Sequence, residues 1–260
     1  MKKIAKNFAV FIMVHGRPDR MWTYHALKKQ GYTGKIFLVA DDLDPTLNDY
    51  KEIYGKQLLV FDKKKAARKM DTGDLRSTLF SANTIFTLAK ENGIKNFFLM
   101  CDDYDWFGFK FDDDLKYTDK KVKNLDRLFA ILLKYYLSID AKTIAFSQGG
   151  DFIGGRNSTN AKEVKMKRKA MNTFLCSVER PIEFVGRLNE DVTTYVNAGS
   201  KGDLFLTIPH VMINQQETLK TQGGLSDVYL DYGTYVKSFF SVMYNPSCVK
   251  ISTLGHKTKR

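Results

Sequence analysis

Short apolar runs, each closed by polar residues or glycine, recur along this chain of 260 residues. Such runs are typical of buried strands in a parallel sheet, and the segments between several of them have the apolar spacing of helices. The early order of strand, helix and strand predicts right-handed βαβ units. Strands are predicted at residues 8–14, 35–40, 58–62, 97–101, 143–147, 172–176, 204–209 and 211–214. Helices are predicted at residues 21–30, 74–92 and 125–137, with a further one passing through 195–197 and ending at 199.

Three carboxylates directly follow one of the most apolar strands. They are Asp102, Asp103 and Asp105. Ligands of open α/β sheets bind at the carboxyl ends of strands, and on extended backbone Asp103 and Asp105 share one side. Two converging carboxylates are hard ligands for Mg²⁺ or Mn²⁺, which can in turn hold a diphosphate. The alternative is a plain acidic turn. A second acidic cluster, residues 112–114, lacks an apolar strand before it and is interpreted as a loop or cap.

Polar residues also end the first two strands. His15-Gly16-Arg17 follows the first strand, and Asp41 and Asp42 end the second. Asp41 and Asp42 lie where a ribose or uracil could form hydrogen bonds. A helix-capping role for Asp42 or Asp44 is the alternative.

Cationic and amide side chains follow the third strand. Arg76 and Asn83 are seven residues apart, which places them two turns apart on one face of the predicted helix 74–92. A cationic cluster precedes this helix and is either close to the predicted phosphate site or a solvated face; it comprises Lys63, Lys64, Lys65, Arg68 and Lys69.

The formal net charge of +12 indicates a polyanionic partner, and nucleic acid is the obvious candidate. The densest basic run, residues 162–169, is a natural contact for a phosphate backbone or else a solvated loop. Aromatic residues in 229–235 and 239–244 could stack on exposed bases, although core packing is the commoner use.

The three cysteines have no metal-ligand spacing, which indicates a reducing cytosol. The basic start lacks the features of a secretory signal, and no apolar run approaches the ~20 residues of a membrane span. We therefore expect a cytoplasmic protein with no membrane partner. No repeat or linker divides the chain, so a single domain is predicted over residues 1–260.

Together these motifs resemble those of a nucleotide-sugar-dependent glycosyltransferase of the GT-A type. Asp102-Asp103-Tyr104-Asp105 resembles the metal-binding Asp-x-Asp signature, and Asn189-Glu190-Asp191 resembles the downstream Glu-Asp element. His256, after Gly255, resembles a late histidine that completes the metal shell. By layout and charge, the closest resemblance is to the TET/JBP-associated glycosyltransferases of phages and kinetoplastids, which modify hydroxymethylated pyrimidines in DNA.

The resemblance implies a GT-A-like, Rossmann-related α/β domain with a central, mostly parallel sheet flanked by helices. Residues 1 to about 106 would bind the nucleotide, and about 107 to 260 the acceptor. It also implies that Mn²⁺ or Mg²⁺ is bound by Asp103 and Asp105, or by Asp105 and His256 with Asp103 on the ribose. Nucleotide-sugar contacts would come from His15, Arg17, Asp41, Asp42, Lys69, Arg76, Asn83, Asp102 and Asp103.

For an inverting reaction, the resemblance assigns Asp191 as the base and Glu190 to the sugar hydroxyls. For a retaining reaction, Asp191 would instead position the substrate. The expected function is transfer of a sugar from a UDP-sugar to the hydroxymethyl group of a modified pyrimidine in DNA, in the host cytoplasm if the protein is phage-encoded. The alternatives are a GT-A enzyme with a glycan or other non-DNA acceptor, and a basic DNA-binding protein without catalysis.

Overall fold

The structure, a computed structural model, describes residues 5–68, 73–114, 116–148, 170–216, 225–233 and 235–251. Its strands are β1 (Phe8–Met13), β2 (Lys35–Asp41), β3 (Leu58–Phe61), β4 (Asn96–Cys101), β5 (Tyr104–Phe111), β6 (Tyr117–Lys121), β7 (Thr143–Gln148), β8 (Phe174–Ser177) and β9 (Phe205–Gln215). Its helices are α1 (Trp22–Lys29), α2 (Leu47–Tyr54), α3 (Lys63–Arg68), α4 (Leu79–Glu91), α5 (Leu125–Leu137), α6 (Glu190–Gly199), α7 (Ser226–Tyr232) and α8 (Val236–Tyr244), with a 3₁₀ turn at Gly55–Gln57.

The strands form one sheet in the order β3-β2-β1-β4-β8-β7-β9-β5-β6. The half that contains β3, β2, β1 and β4 is parallel throughout. In the other half, β8 runs antiparallel to both its neighbours, β9 is parallel to β7, and β5 is antiparallel to β9 and β6. The predicted α/β class is confirmed, and the arrangement is compatible with a GT-A-like fold.

Both faces of the sheet are covered by apolar side chains. Phe98 packs on Phe129 of α5 at a ring-centroid distance of 4.6 Å. Its neighbour Phe97 points to the opposite face and packs on Phe86 of α4 at 5.1 Å. Successive strand residues point to opposite faces, so a strand covered on both sides must be apolar throughout, as this one is. Burying each such ring contributes about 2 kcal/mol.

The order of the strands indicates where a ligand would bind in an open α/β sheet. The chain places β2 and β3 on one side of β1 and β4 on the other. Connections that leave in opposite directions open a crevice at the carboxyl ends of the two central strands, β1 and β4. The polar residues that follow β1, β2 and β4 therefore share one edge of the sheet.

The predicted helix at 74–92 is wrong at its start, because α4 begins at Leu79. Asp74 accepts a hydrogen bond from the backbone N–H of Arg76 at 2.9 Å, and the Ser77 hydroxyl accepts one from the N–H of Leu79 at 3.1 Å. Such local side-chain bonds offer the backbone an alternative to the helix. Arg76 therefore precedes the helix, and the expected shared face with Asn83 does not exist.

Two predicted strands, 204–209 and 211–214, are one strand, β9, interrupted only by an irregularity. Phe146 pairs with Ile208, but the next residue, Ser147, pairs with Met212. The Ser147 hydroxyl spans the irregularity by donating towards the carbonyls of Pro209 and Val211, at 3.2 and 2.8 Å. Pro209 can lie inside a paired strand because it falls at this break in the ladder.

Candidate functional site

An ion pair joins the ends of β1 and β4. The Arg17 guanidinium donates to both carboxylate oxygens of Asp102, at 2.9 Å from Nε and 2.6 Å from the terminal nitrogen. Asp102 is almost completely buried. Burial raises the pKa of Asp102 to about 6, although Arg17 opposes this shift. Asp102 therefore has its charge compensated within the protein.

Asp103 has neutral partners instead. The side-chain amide of Gln215 donates to both of its carboxylate oxygens, at 3.2 and 3.1 Å. The oxygen of Gln215 in turn accepts from the amides of Gln148 and Asn172, at 2.8 and 2.9 Å. Burial raises the pKa of Asp103 despite the hydrogen bond from Gln215. The amide network orients this carboxylate without neutralising it.

The backbone that supplies Asn172 is strained. Asn172 and Thr173 have φ values of 55° and 47°, in the left-handed region that residues other than glycine rarely adopt. The buried Thr173 hydroxyl secures this conformation by accepting from the N–H of Phe146 at 3.0 Å. Strain of this kind persists where surrounding contacts enforce it, and it is concentrated at functional sites.

Asp105 is the extra residue of a β-bulge. Tyr104 pairs with Gln215 and Trp106 with Asn214, so two steps along β5 match one step along β9. The carboxylate of Asp105 accepts from the amides of Asn214 and Gln216, at 3.0 and 2.7 Å. Bulges are over-represented beside active sites, where they redirect a side chain.

The chemistry of these donors fits a hard divalent cation. Among the described residues, no Lys or Arg forms an ion pair with Asp103 or Asp105, so two carboxylates lie close together with only neutral amide partners. Mg²⁺ needs only one or two protein carboxylates when substrate phosphates and water complete its shell. No group of three or more His, Cys, Asp or Glu side chains suited to a metal occurs in the described ranges. A cation here would therefore depend on its substrate or on residues outside them.

Asp41, at the end of β2, is held by two cationic or polar neighbours. Its Oδ2 lies 3.0 Å from Lys63 Nζ and 3.2 Å from His15 Nδ1. Burial would raise the pKa of Asp41, but the hydrogen bonds from His15 and Lys63 outweigh it and hold that pKa below its ordinary value. Asp44 lies beside them and accepts from the backbone N–H of Gly16 at 3.0 Å.

Asp42 contacts the backbone of α3. Its carboxylate accepts from the N–H of Lys63, the first residue of that helix, at 2.8 Å. Asp62 accepts from the N–H of Lys65 at 2.7 Å. Free N–H groups of a first helical turn require such acceptors, so Asp42 stabilises the start of α3 from a neighbouring strand end.

The predicted Glu-Asp element lies at the start of α6. Glu190 and Asp191 are its first two residues, where the helix dipole favours negative charge. The Thr78 hydroxyl donates to Glu190. Burial, followed by the charge of Asp191, raises the pKa of Glu190 to about 7. Burial also raises the pKa of Tyr229 to about 12, with Glu190 and Asp191 adding to the shift.

The aspartates that follow β4 and the acids at the start of α6 lie close enough to act electrostatically on the same side chain. Burial raises the pKa of the Cys101 thiol well above its ordinary value, and Asp103, Asp102 and Glu190 raise it further, in that order. Cys101 is the last residue of β4. The start of α6 therefore lies near the same strand end as the paired aspartates.

Arg76 takes part in a network of ion pairs before α4. It forms ion pairs with Asp74 at 3.0 Å and with Asp231 of α7 at 2.6 Å. Arg187 adds a second cation to Asp74 at 2.8 Å. This network joins α7 to the segment before α4, so Arg76 is committed to carboxylates of the protein itself.

The side chain of Asn83 is hydrogen-bonded to the backbone of the protein. Its amide nitrogen donates to the carbonyl of Phe184, and its oxygen accepts from the N–H of Phe184, both at 2.9 Å. A side-chain amide can imitate a paired strand in this way and satisfy both groups of an otherwise unpaired residue.

The crevice brings together most of the predicted residues at the strand ends; these are His15, Arg17, Asp41, Asp102, Asp103 and Asp105. Lys69, His256 and the basic run 162–169 lie outside the described residues. The acidic cluster at 112–114 does follow a strand, β5, contrary to our expectation. Since β5 runs opposite to β4, this cluster lies at the other edge of the sheet.

Sequence reasoning missed the amide network. Gln148, Asn172, Gln215 and their neighbours are uncharged and common at the surface, so their residue types alone point to no chemistry. The available signal was the polar run 214–216, which ends the apolar β9 abruptly. That run places amide side chains at the end of β9, just as residues 102–105 place carboxylates after β4.

The fold and the crevice together indicate a class of ligand-binding α/β protein. A sheet with helices on both faces and polar strand ends at a topological switch point is an architecture that binds nucleotide-type ligands. The chain also matches the family model described as TET-Associated Glycosyltransferase over residues 8–224. This match covers more than half of the chain, so the protein belongs to that family and is a glycosyltransferase. A comparison with curated proteins found no match. Among the described residues, no helix is long and apolar enough to cross a membrane.

Proposed function

We propose that this glycosyltransferase moves a sugar from a UDP-sugar to the hydroxymethyl group of a modified pyrimidine in DNA, with Mn²⁺ or Mg²⁺ as cofactor. The observation that carries this proposal is the pair Asp103 and Asp105 at the switch point of the sheet, whose carboxylates accept hydrogen bonds from neutral amides and form no ion pair with a Lys or Arg among the described residues. Neighbouring carboxylates are neutralised internally, Asp102 by Arg17 and Asp41 by Lys63.

A divalent cation bound to Asp103 and Asp105 would supply charge compensation for the departing diphosphate. The nucleoside would extend from these aspartates across β1 towards β2, because the strand ends there carry the remaining polar groups. His256 and Lys69 are candidates to complete the cation shell and to bind phosphate, as the resemblance implies.

In the transfer step, the hydroxymethyl oxygen forms a bond to the anomeric carbon while the bond from that carbon to the diphosphate oxygen breaks. The leaving UDP keeps the bonding electron pair. The hydroxyl proton passes to a carboxylate at the start of α6 if the reaction inverts configuration. Asp191 is the predicted base, and Glu190 has a pKa of about 7, which suits a proton acceptor near neutral pH.

The acceptor would approach along α8. This helix packs on α6 through a hydrogen bond from the Asn189 amide to the Ser241 hydroxyl at 2.7 Å, and one between the hydroxyls of Thr193 and Ser241 at 3.1 Å. The rings of Tyr235, the residue before α8, and of Phe239 within it are exposed, and their centroids are 6.3 Å apart. Exposed rings stack on unpaired bases, and a base must leave the duplex to be modified. The net charge of +12 favours DNA over a neutral glycan acceptor.

The test is a thermal-shift titration with UDP, in the presence and absence of Mn²⁺, followed by mass spectrometry of nucleosides from hydroxymethylated DNA incubated with UDP-sugars. A ligand that binds only the native state raises the melting temperature. We expect a shift with UDP that requires Mn²⁺ and disappears in Asp103→Asn and Asp105→Asn. Asp113→Asn, a change at an exposed acid on the other sheet edge, is the matched control.

Three outcomes would contradict parts of this proposal. A metal-independent shift that survives both substitutions would remove the proposed cation site. UDP binding with sugar transfer to glycans but not to DNA would favour the non-DNA acceptor. A shift with DNA alone, with no UDP binding and no transfer, would remove the proposed UDP donor and favour a different nucleotide donor.

A further inference from the structure

The carboxylate of Asp41 is fully engaged by neighbouring groups of the protein. The residue is only 3% exposed, and both of its carboxylate oxygens have partners. Oδ1 accepts from the N–H of Leu43 at 3.1 Å, and Oδ2 contacts Lys63 and His15. A carboxylate engaged on both oxygens has little capacity left for a nucleobase or ribose.

His15 is the more exposed of the two residues in the contact with Asp41. Its side chain is 37% exposed, directly after β1. Nδ1 faces two carboxylates, Asp41 at 3.2 Å and Asp44 at 3.5 Å. Lys63 approaches Asp41 from α3, and the neighbouring Arg17 is engaged with Asp102. Among the described residues, no hydrogen-bond partner contacts Nε2.

The carboxylates determine what His15 can offer. A nitrogen that faces carboxylates carries the proton, and in a neutral imidazole the other nitrogen is then an acceptor. In that tautomer, His15 presents the Nε2 lone pair on its exposed side. The end of β2 lies two strand spacings from β4, about 10 Å. This is the span over which a nucleoside would reach from a diphosphate near Asp103.

We propose that His15 determines base specificity in the donor site, accepting the N3–H of uracil through Nε2, with Asp41 as a positioning residue that fixes its tautomer. Uracil carries a hydrogen on N3, whereas cytosine has a bare acceptor there that would face the Nε2 lone pair. The inference rests on the proposed nucleotide donor and adds the residue that selects the base.

The experiment measures the dissociation constants of UDP and CDP by calorimetry at pH 8 with Mn²⁺. The wild-type protein should bind UDP about tenfold more tightly than CDP, since one unsatisfied polar pair has about that effect. In His15→Gln the ratio should fall towards one, because the new amide can rotate to present either a donor or an acceptor. Asp41→Asn should reduce the ratio in the same direction. Asp49→Asn, at an exposed position on α2, should leave it unchanged.

The outcomes separate this inference from the proposed function. Equal binding of UDP and CDP to the wild type, or an unchanged ratio in His15→Gln, would overturn the role of His15 while the UDP donor stands. Absence of binding by either nucleotide would overturn both. His15→Gln changes a half-exposed side chain, so it tests the inference even if the buried Asp41 variant fails to fold.

Discussion

Arg17 donates two hydrogen bonds, of 2.9 and 2.6 Å, to the buried carboxylate of Asp102, and so ties the loop after β1 to the turn after β4. These are the two strands between which the crevice opens. The pair therefore sets the distance between the two sides of the candidate site. It also means that Asp102, the acid directly before the Asp-x-Asp pair, has a structural partner, which leaves Asp103 and Asp105 for a ligand.

Removing Arg17 should be strongly destabilising. Arg17→Met leaves the Asp102 carboxylate buried without its partner, and we expect a loss of about 3 to 5 kcal/mol in the free energy of unfolding. Urea denaturation measures it. The double variant Arg17→Met/Asp102→Leu should recover part of the loss, because no uncompensated charge remains. A double variant no more stable than Arg17→Met would contradict this account.

Substitution of Asn83 should lower the free energy of unfolding and leave the affinity for UDP unchanged. Asn83→Ala removes both partners of the Phe184 backbone, and the expected loss is about 2 kcal/mol in the free energy of unfolding. Asn92→Ala, which removes one hydrogen bond at the end of the same helix, should cost less. Affinity for UDP, measured at a temperature where the variant is folded, should be retained. A stable Asn83→Ala that has lost UDP binding would support the nucleotide contact predicted from sequence.

The two acids of α6 are separable by kinetics. If Asp191 is the base, Asp191→Asn should retain UDP-sugar binding and reduce kcat by about 100-fold or more. If Glu190 is the base, kcat/KM should rise with pH through an apparent pKa near 7, and Glu190→Gln should abolish that rise. Rates measured from pH 5.5 to 8.5 for both variants distinguish the cases. Unimpaired turnover in Asp191→Asn would exclude it as the base.

Glu190 should also make stability depend on pH. Its pKa of about 7 exceeds its ordinary value of 4.5, so between these pH values the native state binds more protons than the unfolded state. The free energy of unfolding therefore falls as pH rises through this window. Asp102, with a pKa of about 6, adds to the fall below pH 6. The melting temperature of the wild type should be lower at pH 7.5 than at pH 6, and this difference should be smaller in Glu190→Gln. An equal difference in both proteins would contradict the raised pKa of Glu190.

The exposed rings of Tyr235 and Phe239, at the start of α8, should bind unpaired bases. Tyr235→Ala and Phe239→Ala should each weaken binding of a single-stranded oligonucleotide by about 1 kcal/mol or more, as stacking on an aromatic side chain contributes. Fluorescence anisotropy at fixed salt provides the measurement. Tyr135→Ala is a matched control, since Tyr135 is a comparably exposed ring on α5. Equal affinity for all three variants would exclude α8 as the acceptor face.

The strand ends were predictable from sequence because their signals are local. A short apolar run such as Phe97–Cys101 is typical of a buried strand, and the acids that follow it must then lie at an edge of the sheet. Helix α5 was predicted with its observed bounds, and Asn124 caps it by accepting from the N–H of Arg127 at 2.9 Å.

The tertiary partners were not predictable in this way. Nothing local indicates that Gln215 would meet Asp103, since the two are 112 residues apart. Arg76 and Asn83 looked equivalent on one helix, yet side-chain bonds before Leu79 delayed the helix and gave the two residues unrelated environments. Short helices such as α2 and α3 lack a long apolar period, so they depend on tertiary contacts that a single sequence does not reveal.

The bulge at Asp105 makes this carboxylate dispensable to the sheet. Tyr104 and Trp106 pair with adjacent residues of β9, so a chain shortened by the one residue between them would continue the same ladder with every later side chain on its present face. Asp105 is thus an insertion that the architecture tolerates but does not require. The scaffold could lose or regain this acid in a single step without refolding around it.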